Sequence, residues 1–120
     1  MQRAKKGIEE IKDLFNLQGK VAVVTGGAGA LGEAVAIGLA AYGVDLVLCD
    51  LESAALEVLA DRIREMGQQA LPVSCDVTEP DPVDQMVRRT LDEYGKINIL
   101  FNAAGIAQRE PAVYLPIDDW

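Results

Sequence analysis

The sequence predicts an α/β fold in which helices cover both faces of a parallel β-sheet. From residue 20 onward, short apolar segments rich in β-branched residues alternate with longer segments of helical character. Strands and helices that alternate in this way form right-handed β-α-β units. The 120 residues, half of them apolar, are enough for one domain with its own core. We therefore expect the first half of a doubly wound sheet, with four strands in the order 3-2-1-4.

Each predicted strand is a short apolar run bounded by glycine, proline or charged residues. The run from Lys20 to Thr25 is apolar on both faces, which is typical of a strand buried in a parallel sheet. The third run contains Pro72, which cannot donate to a sheet ladder, so we expect this strand at the edge. The predicted strands cover residues 20–25, 46–49, 70–75 and 98–101.

Glycines and capping residues define the helices predicted between these strands. An alanine-rich helix over residues 31–42 is closed by Gly43. Ser53 is expected to cap a second helix that runs to Met66, and Gly67 stops it.

The third of these helices ends at Gly95 and has two candidate starts. If Thr78 were the cap, Pro82 would lie where the first intrahelical N–H bond is needed, and proline cannot donate it. If Asp81 is the cap, Pro82 occupies the first helical position, where a missing N–H is harmless. We therefore predict that Asp81 caps the helix.

Residues 1–16 are predicted to form an N-terminal arm that packs on the body of the protein, residues 17–120. Apolar residues recur at helical spacing in this arm with charged residues between them, which predicts a short amphipathic helix over residues 8–15. The apolar positions are Ile8, Ile11, Leu14 and Phe15.

Charge and composition exclude several classes of function. Eleven basic and nineteen acidic side chains give a net charge of −8, which repels phosphate backbones and anionic lipid, so we expect neither nucleic acid nor a membrane as partner. The chain has no histidine, which excludes a Ser-His-Asp triad and an imidazole-bound metal; no metal site is expected. No export signal is recognisable, so we expect a cytoplasmic protein in which Cys49 and Cys75 are core thiols.

A glycine-rich turn follows the first predicted strand. Residues Gly27 to Gly32 match the pattern G-x-G-x-x-G, and Asp50 ends the next strand. Small residues let the backbone approach a pyrophosphate, and the helix N-terminus presents free N–H groups to it. Asp50 would then accept both hydroxyl hydrogens of the adenosine ribose and repel a 2′-phosphate. No basic residue lies between Lys20 and Arg62, so the pattern favours NAD over NADP.

Both features have structural alternatives. The glycines could serve only a tight turn with close helix-to-sheet packing, and Asp50 could be a capping or solvated carboxylate.

Three motifs, taken in order, resemble those of the short-chain dehydrogenase/reductase family. Residues Thr25 to Gly32 are similar to T-G-x-x-x-G-x-G, with Ala30 at the middle glycine. Asp76-Val77 resembles the D-V pair after the third strand. Residues 102–105 resemble N-N-A-G, with Ala103 at the second asparagine. The resemblance covers residues 17–120 and implies the cofactor-binding half of a Rossmann-like fold that binds NAD(H).

The resemblance also implies roles for individual residues. Asp76 would receive the adenine amino group, although it could simply cap the turn. Asn102 could contact the cofactor or bond only to neighbouring strands, while Ala104 and Gly105 would leave room for the nicotinamide-side ribose. The residues expected to bind the cofactor are Gly26, Gly27, Ala28, Gly29, Ala30, Leu31, Gly32, Asp50, Leu51, Asp76, Val77, Asn102, Ala103, Ala104 and Gly105.

Members of that family transfer a proton through a tyrosine that is followed four residues later by a lysine. None of the tyrosines of this chain has that lysine. The pairs at this spacing are Tyr42 with Leu46, Tyr94 with Asn98, and Tyr114 with Asp118. We therefore expect no catalytic residue in this chain and no activity from it alone.

The hypothesis that follows is the N-terminal half of an NAD-dependent oxidoreductase, truncated before the catalytic segment and acting on an alcohol or ketone such as a sugar or sugar acid. The alternatives are a split enzyme completed by another chain, a non-enzymatic nucleotide-binding module, and an inactive remnant. The edge of the fourth strand would be exposed, so we expect a homo-oligomer or a partner chain to cover it.

Overall fold

The computed structural model describes residues 2–106 and 111–119. All strands of its sheet are parallel, and their order is β3-β2-β1-β4, which confirms the predicted fold class and strand order. The elements are α1 Gln2–Asp13, β1 Val21–Thr25, α2 Ala30–Ala41, β2 Asp45–Asp50, α3 Ser53–Glu65, β3 Ala70–Ser74, α4 Pro80–Tyr94 and β4 Ile99–Asn102. Short 3-10 helices follow at Ala112–Tyr114 and Ile117–Asp119.

The two central strands form the buried middle of the molecule. Every residue of β1 is buried, and β2 is buried apart from its two end residues. On one face Leu48 packs in a cluster with Ala36 of α2 and Ile63 of α3. On the other face Val47 packs in a cluster with Met86 of α4. A fully buried leucine contributes roughly 1.5–3 kcal/mol, so these two layers are the main source of stability.

The strand that contains Pro72 lies at an edge of the sheet, as the sequence predicted. β3 is outermost, and Pro72 lies opposite Leu48 of β2.

At the other edge, β4 is held on β1 by a side chain that the sequence analysis did not identify. Asn98 Oδ1 accepts the N–H of Val21 at 2.9 Å, while the Asn98 N–H donates to the Val21 carbonyl at 2.9 Å. The pair aligns β4 with the start of β1.

The start of α3 differs by one residue from the prediction. Ser53 is the first helical residue, and the N-cap is Glu52, whose backbone is extended and whose side chain makes no capping hydrogen bond. The prediction that Ser53 caps this helix was therefore wrong. A serine within the first turn has no capping geometry, because only the residue before the helix can direct its side-chain oxygen back to the free N–H groups.

The start of α4 also differs from the prediction. The helix begins at Pro80 with Glu79 as N-cap, and Asp81 lies in the first turn rather than capping it. Both Pro80 and Pro82 fall among the first residues of the helix, whose N–H groups have no intrahelical partner, so neither proline costs a hydrogen bond. The C-cap is Gly95, as predicted, with a left-handed φ of 74°.

The N-terminal helix α1 stands apart from the two packed layers. It begins earlier than predicted, and Leu14 and Phe15 lie in the turn beyond its end. The described side chains of α1 are exposed, which differs from the expected packing of the arm on the body.

The molecule measures 63 × 35 × 25 Å. Within the described ranges, no helix is both long enough and apolar enough to cross a membrane.

Candidate cofactor-binding site

The glycine-rich turn connects the buried end of β1 to α2. Gly26 has a φ of 69°, and Gly29 is the N-cap of α2 without any side-chain capping bond. The N–H groups of the first helical turn have no intrahelical partner, and they carry the positive end of the helix dipole. The turn therefore presents main-chain donors to an anion at the end of β1.

Asp50 is the last residue of β2, and its carboxylate points to the glycine-rich turn. Its Oδ2 accepts the N–H of Ala28 at 3.0 Å, and its Oδ1 accepts the N–H of Leu51 at 2.7 Å. The Gly27 N–H also donates to the Cys49 carbonyl at 3.0 Å, so the turn is tied to β2 at two points. The acid predicted to bind a ribose is thus held directly beside the turn.

Asp76 lies just beyond the end of β3. Its Oδ1 accepts the hydroxyl of Thr78 at 2.6 Å and the N–H of Thr78 at 2.9 Å. The hydroxyl first, and then the N–H, lower the pKa of Asp76 below its ordinary value. These bonds support the turn-capping role, and the contact with an adenine amino group stays a prediction.

The side chain of Asn102, at the end of β4, bonds to a side chain of β1 and not to the main chain of β1. Asn102 Oδ1 accepts the hydroxyl of Thr25 at 3.4 Å, and the Thr25 Oγ1 accepts the N–H of Ala104 at 3.3 Å. The Ala103 N–H donates to the Thr25 carbonyl at 3.2 Å. Thr25 is buried, so this group holds the end of β4 against β1. The bonds favour a structural role for Asn102, and its contact with a cofactor stays a prediction.

A cleft of about 400 Å³ opens at the carboxyl ends of the strands. The predicted residues that line it are Gly26, Gly29, Asp50, Leu51, Asp76, Val77, Ala103, Ala104 and Gly105. The predicted residues outside its lining are Gly27, Ala28, Ala30, Leu31, Gly32 and Asn102. The lining residues that the sequence analysis did not identify are Cys49, Cys75, Thr78 and Ile106. Each cysteine directly precedes an aspartate that was predicted to bind the cofactor, and this position in the sequence could have identified both cysteines.

Cys49 and Cys75 are free, buried thiols, which confirms the prediction that they are core residues. Burial, then the neighbouring Cys75 thiol and then the Asp50 carboxylate raise the pKa of Cys49 from 9.0 to about 12. The thiolate is the reactive form of cysteine. The Cys49 thiol is therefore uncharged, and it lines the cleft without acting as a nucleophile.

We expect Cys49 to resist alkylation in the folded chain. Near pH 8 its thiolate population should be so low that iodoacetamide modifies it at least about 100-fold more slowly than in concentrated urea. The fold holds the thiol neutral, so the stability from this group is present below about pH 9 and is lost as the pH rises toward about 12. Peptide mass spectrometry after timed alkylation measures the rate. Equal rates in buffer and urea would contradict the assignment.

The described residues that line the cleft include neither a tyrosine nor a lysine. Tyr94 ends α4, and burial, then the charges of Glu93 and Asp45, raises its pKa. Asp45 begins β2, at the opposite end of the sheet from the cleft. Tyr42 and Tyr114 are exposed. The described cleft thus contains no tyrosine–lysine pair for proton transfer.

The parallel sheet in the order β3-β2-β1-β4, with a glycine-rich turn at its switch point, defines the first half of a Rossmann-like α/β fold. The family model described as short chain dehydrogenase matches residues 20–120. The chain belongs to the short-chain dehydrogenase family, as its motifs indicated.

Individual relatives are similar over most of this chain. The 5-keto-D-gluconate 5-reductase of Escherichia coli (strain K12) is 32% identical over 110 residues, covering 92% of this chain and 43% of the relative. An NAD⁺-bound xylitol dehydrogenase matches with a TM-score of 0.78 and 38% identity, covering 86% of this chain and 40% of its own. The L-sorbose reductase of Gluconobacter frateurii, complexed with NADPH and L-sorbose, has a TM-score of 0.77 and 34% identity, with the same coverage of 86% and 40%.

The chain therefore spans less than half the length of these relatives. The family binds nicotinamide cofactors, and the two solved structures hold one of each kind, NAD⁺ and NADPH.

Proposed function

We propose that the chain is the NAD(H)-binding portion of an oxidoreductase that interconverts an alcohol and a ketone. One contact carries the proposal: Asp50 Oδ2 accepts the N–H of Ala28 at 3.0 Å, so the acid of β2 lies against the glycine-rich turn. A carboxylate at this point can accept ribose hydroxyl hydrogens while the turn faces the pyrophosphate. Membership of the short-chain dehydrogenase family supports the reaction class.

The residues at the strand ends fit such a cofactor. The free N–H groups at the start of α2 suit the pyrophosphate, and Asp50 suits the adenosine ribose. Asp76, Ala104 and Gly105 line the same cleft, which supports contact of Asp76 with the adenine amino group and room for the second ribose beside Ala104 and Gly105. The cleft of about 400 Å³ is of the size that small-molecule sites commonly have. A bound nicotinamide would supply the hydride acceptor or donor.

We assign NAD rather than NADP on the distribution of charge. The adenosine side of the cleft carries Asp50, and a 2′-phosphate beside it would meet a like charge. The first basic residue after the glycine-rich turn is Arg62, which forms an ion pair with Glu33 of α2. Arg62 and Glu33 line a small pocket beside Gly27 and Ala28 of the glycine-rich turn, and the guanidinium there is paired with a carboxylate.

The exchange Asp50→Ala should weaken NAD binding by about ten- to a hundredfold, because hydrogen bonds to a charged acceptor contribute about 1.5–3 kcal/mol. Binding of NADP should change much less, since the lost carboxylate also repelled the 2′-phosphate. Calorimetric titration of the chain with each cofactor measures the ratio of the two affinities.

The matched control is Glu57→Ala, which removes the same charge from an exposed position on α3. It should leave both affinities within about twofold, because an exposed charge away from the ligand is screened. Equal losses of NAD and NADP binding in Asp50→Ala would contradict the ribose role, and absence of any NAD binding by the folded chain would leave the remnant alternative.

We further propose that other strands complete the sheet beyond β4. β4 pairs with β1, and in the described part of the chain no strand lies on its other side. Leu100 on this strand is 59% exposed, and a free strand edge presents unpaired main-chain groups. The whole protein is the first candidate source of these strands, and a partner chain or a second copy is the alternative. Copurification of a separate polypeptide with a tyrosine–lysine pair would favour the split enzyme.

Substrate and location are part of the same proposal. A sugar or sugar acid is our first candidate substrate, because the reductases and dehydrogenase compared above are named for 5-keto-D-gluconate, L-sorbose and xylitol. We propose a cytoplasmic location on the basis of two free, neighbouring thiols, which suit a reducing compartment.

A further inference from the structure

Helix α1 carries an apolar stripe along one side. Ala4, Ile8 and Ile11 recur at intervals of four and three residues, so they share one face of the helix. Ile8 is 53% exposed and Ile11 is 59% exposed. Phe15, in the turn that follows the helix, is 82% exposed. A contiguous exposed apolar stripe on a projecting helix is typical of an interaction surface.

By itself, α1 is a weak helix. It has 12 residues and an interior glycine, Gly7, while isolated helices of this length are marginal in water. Arg3, Lys5 and Lys6 lie in its N-terminal half and there is no acidic residue in its first turn, which is unfavourable for the helix dipole, although Lys12 in the last turn is favourably placed. A partner that covers the stripe and places acidic residues near the N-terminal half of the helix would therefore stabilise it.

The charges of α1 are complementary to α1 itself when it is turned around. Arg3 and Lys5 lie in the first half of the helix, and Glu9 and Glu10 lie in the second. At 100° per residue, Lys5, Glu9 and Lys12 flank the apolar stripe on one side, while Arg3 and Glu10 flank it on the other. A two-fold axis that pairs antiparallel helices brings each flank against the same flank of the other copy.

We propose that α1 is a dimerisation helix that packs antiparallel on α1 of a second copy of this chain, with the two-fold axis near Gly7. In this register Lys5 lies opposite Glu9 of the second copy, and Arg3 lies opposite Glu10 of the second copy. Each pair occurs twice by symmetry, so four ion pairs border the stripe. Glu9 is also within 3.5 Å of Lys12 of its own helix, but its side chain is 70% exposed and stays accessible.

The packing along the stripe supports the same register. Gly7 falls at the crossing point, and because glycine has no side chain the two backbones can approach closely there. Ile11 then lies opposite Ala4 of the second copy, and Ile8 lies opposite Gly7 of the second copy. Large residues thus face small ones throughout, as well-packed helix pairs require.

A membrane surface is the competing occupant of an amphipathic helix, and the charges favour the second copy. Helices that lie on anionic lipid carry a mainly basic polar face. The polar side of α1 also carries Glu9, Glu10 and Asp13, and the chain as a whole has a net charge of −8, so lipid headgroups would be repelled.

The test is sedimentation equilibrium of the full chain and two charge-reversed variants. The unaltered chain should approach twice its 12.9 kDa mass with rising concentration. Lys5→Glu and Glu9→Lys should each weaken self-association at least about tenfold, because each places like charges in contact twice. An equimolar mixture of the two variants should restore the dimer. Reversal at exposed sites should leave the far-UV circular dichroism of the body unchanged.

Two further variants locate the contact. Ile8→Asp should abolish the dimer, whereas Val58→Asp, at a position on α3 that is 64% exposed, should leave it intact. Dissociation by Leu100→Asp combined with indifference to all α1 variants would overturn the proposal and assign the contact to β4. A monomeric chain, or one whose α1 binds anionic vesicles instead of a second copy, would also overturn it. None of these readouts depends on NAD binding.

Discussion

Replacing Gly32 by alanine should destabilise the protein by about 3 kcal/mol or more, a large part of the roughly 5–15 kcal/mol by which native proteins are stable. Gly32 lies in the first turn of α2, where the helix packs on the glycine-rich turn. A Cβ on this residue would overlap the carbonyl oxygen of Gly26 and stand 2.8 Å from its carbonyl carbon. Both are main-chain atoms, so relief requires a shift of the turn or of the whole helix. Urea denaturation followed by circular dichroism measures the loss.

Gly38 provides the matched control in the same helix. A Cβ added at Gly38 meets nothing within 4 Å, and the position is exposed. Gly38→Ala should therefore stabilise the chain by about 1 kcal/mol through helix propensity alone. Opposite signs for the two variants are the expected result. Equal effects on stability would mean that a side chain at position 32 does not clash with the glycine-rich turn.

Replacing Gly26 by alanine should cost about 3 kcal/mol and should also damage the cofactor site. The residue has a φ of +69°, which costs an L-residue roughly 1–2 kcal/mol. Its Cβ would also lie 2.6 Å from the carbonyl carbon of Ala103 and from the nitrogen of Ala104, which adds about 1–3 kcal/mol of overpacking. Relief would push the end of β4 away from the turn and widen the cleft. Denaturation curves and NAD titration measure the two effects.

A substitution at Gly95 separates the cost of the left-handed backbone from the cost of the steric overlap. Its φ is +74°, close to that of Gly26, but a Cβ there meets nothing within 4 Å. Gly95→Ala should therefore cost only the roughly 1–2 kcal/mol of left-handed backbone and leave NAD affinity unchanged. If both variants lose the same stability and Gly26→Ala keeps full NAD affinity, the close approach between the turn and β4 has no role in the site.

Much of the fold follows from local patterns. The β-branched runs and their bounding glycines predicted all the strands, because apolar periodicity and turn chemistry act over a few residues. Pro72 predicted the edge position of β3, since a missing donor is tolerated there and not in the centre. Asp50 was identified by its distance along the chain from the turn, which reflects the fixed length of one β-α-β unit.

Other features required the three-dimensional arrangement. The start of α4 lies between the two candidates at Glu79, because two prolines are both tolerated in a first turn. The exposure of α1 could not be read from its pattern, since an amphipathic helix looks the same whether it covers the body or awaits a partner.

The sequence by itself determined the order of the elements, the parallel sheet, the glycine-rich turn and the acid that faces it. Only the tertiary structure decided which atoms meet across the strands. Asn98 bonds to Val21 from 77 positions away, and the hydroxyl of Thr25 joins Asn102 to Ala104. Such contacts depend on strand register, which is set by packing of the whole sheet rather than by any local run of residues.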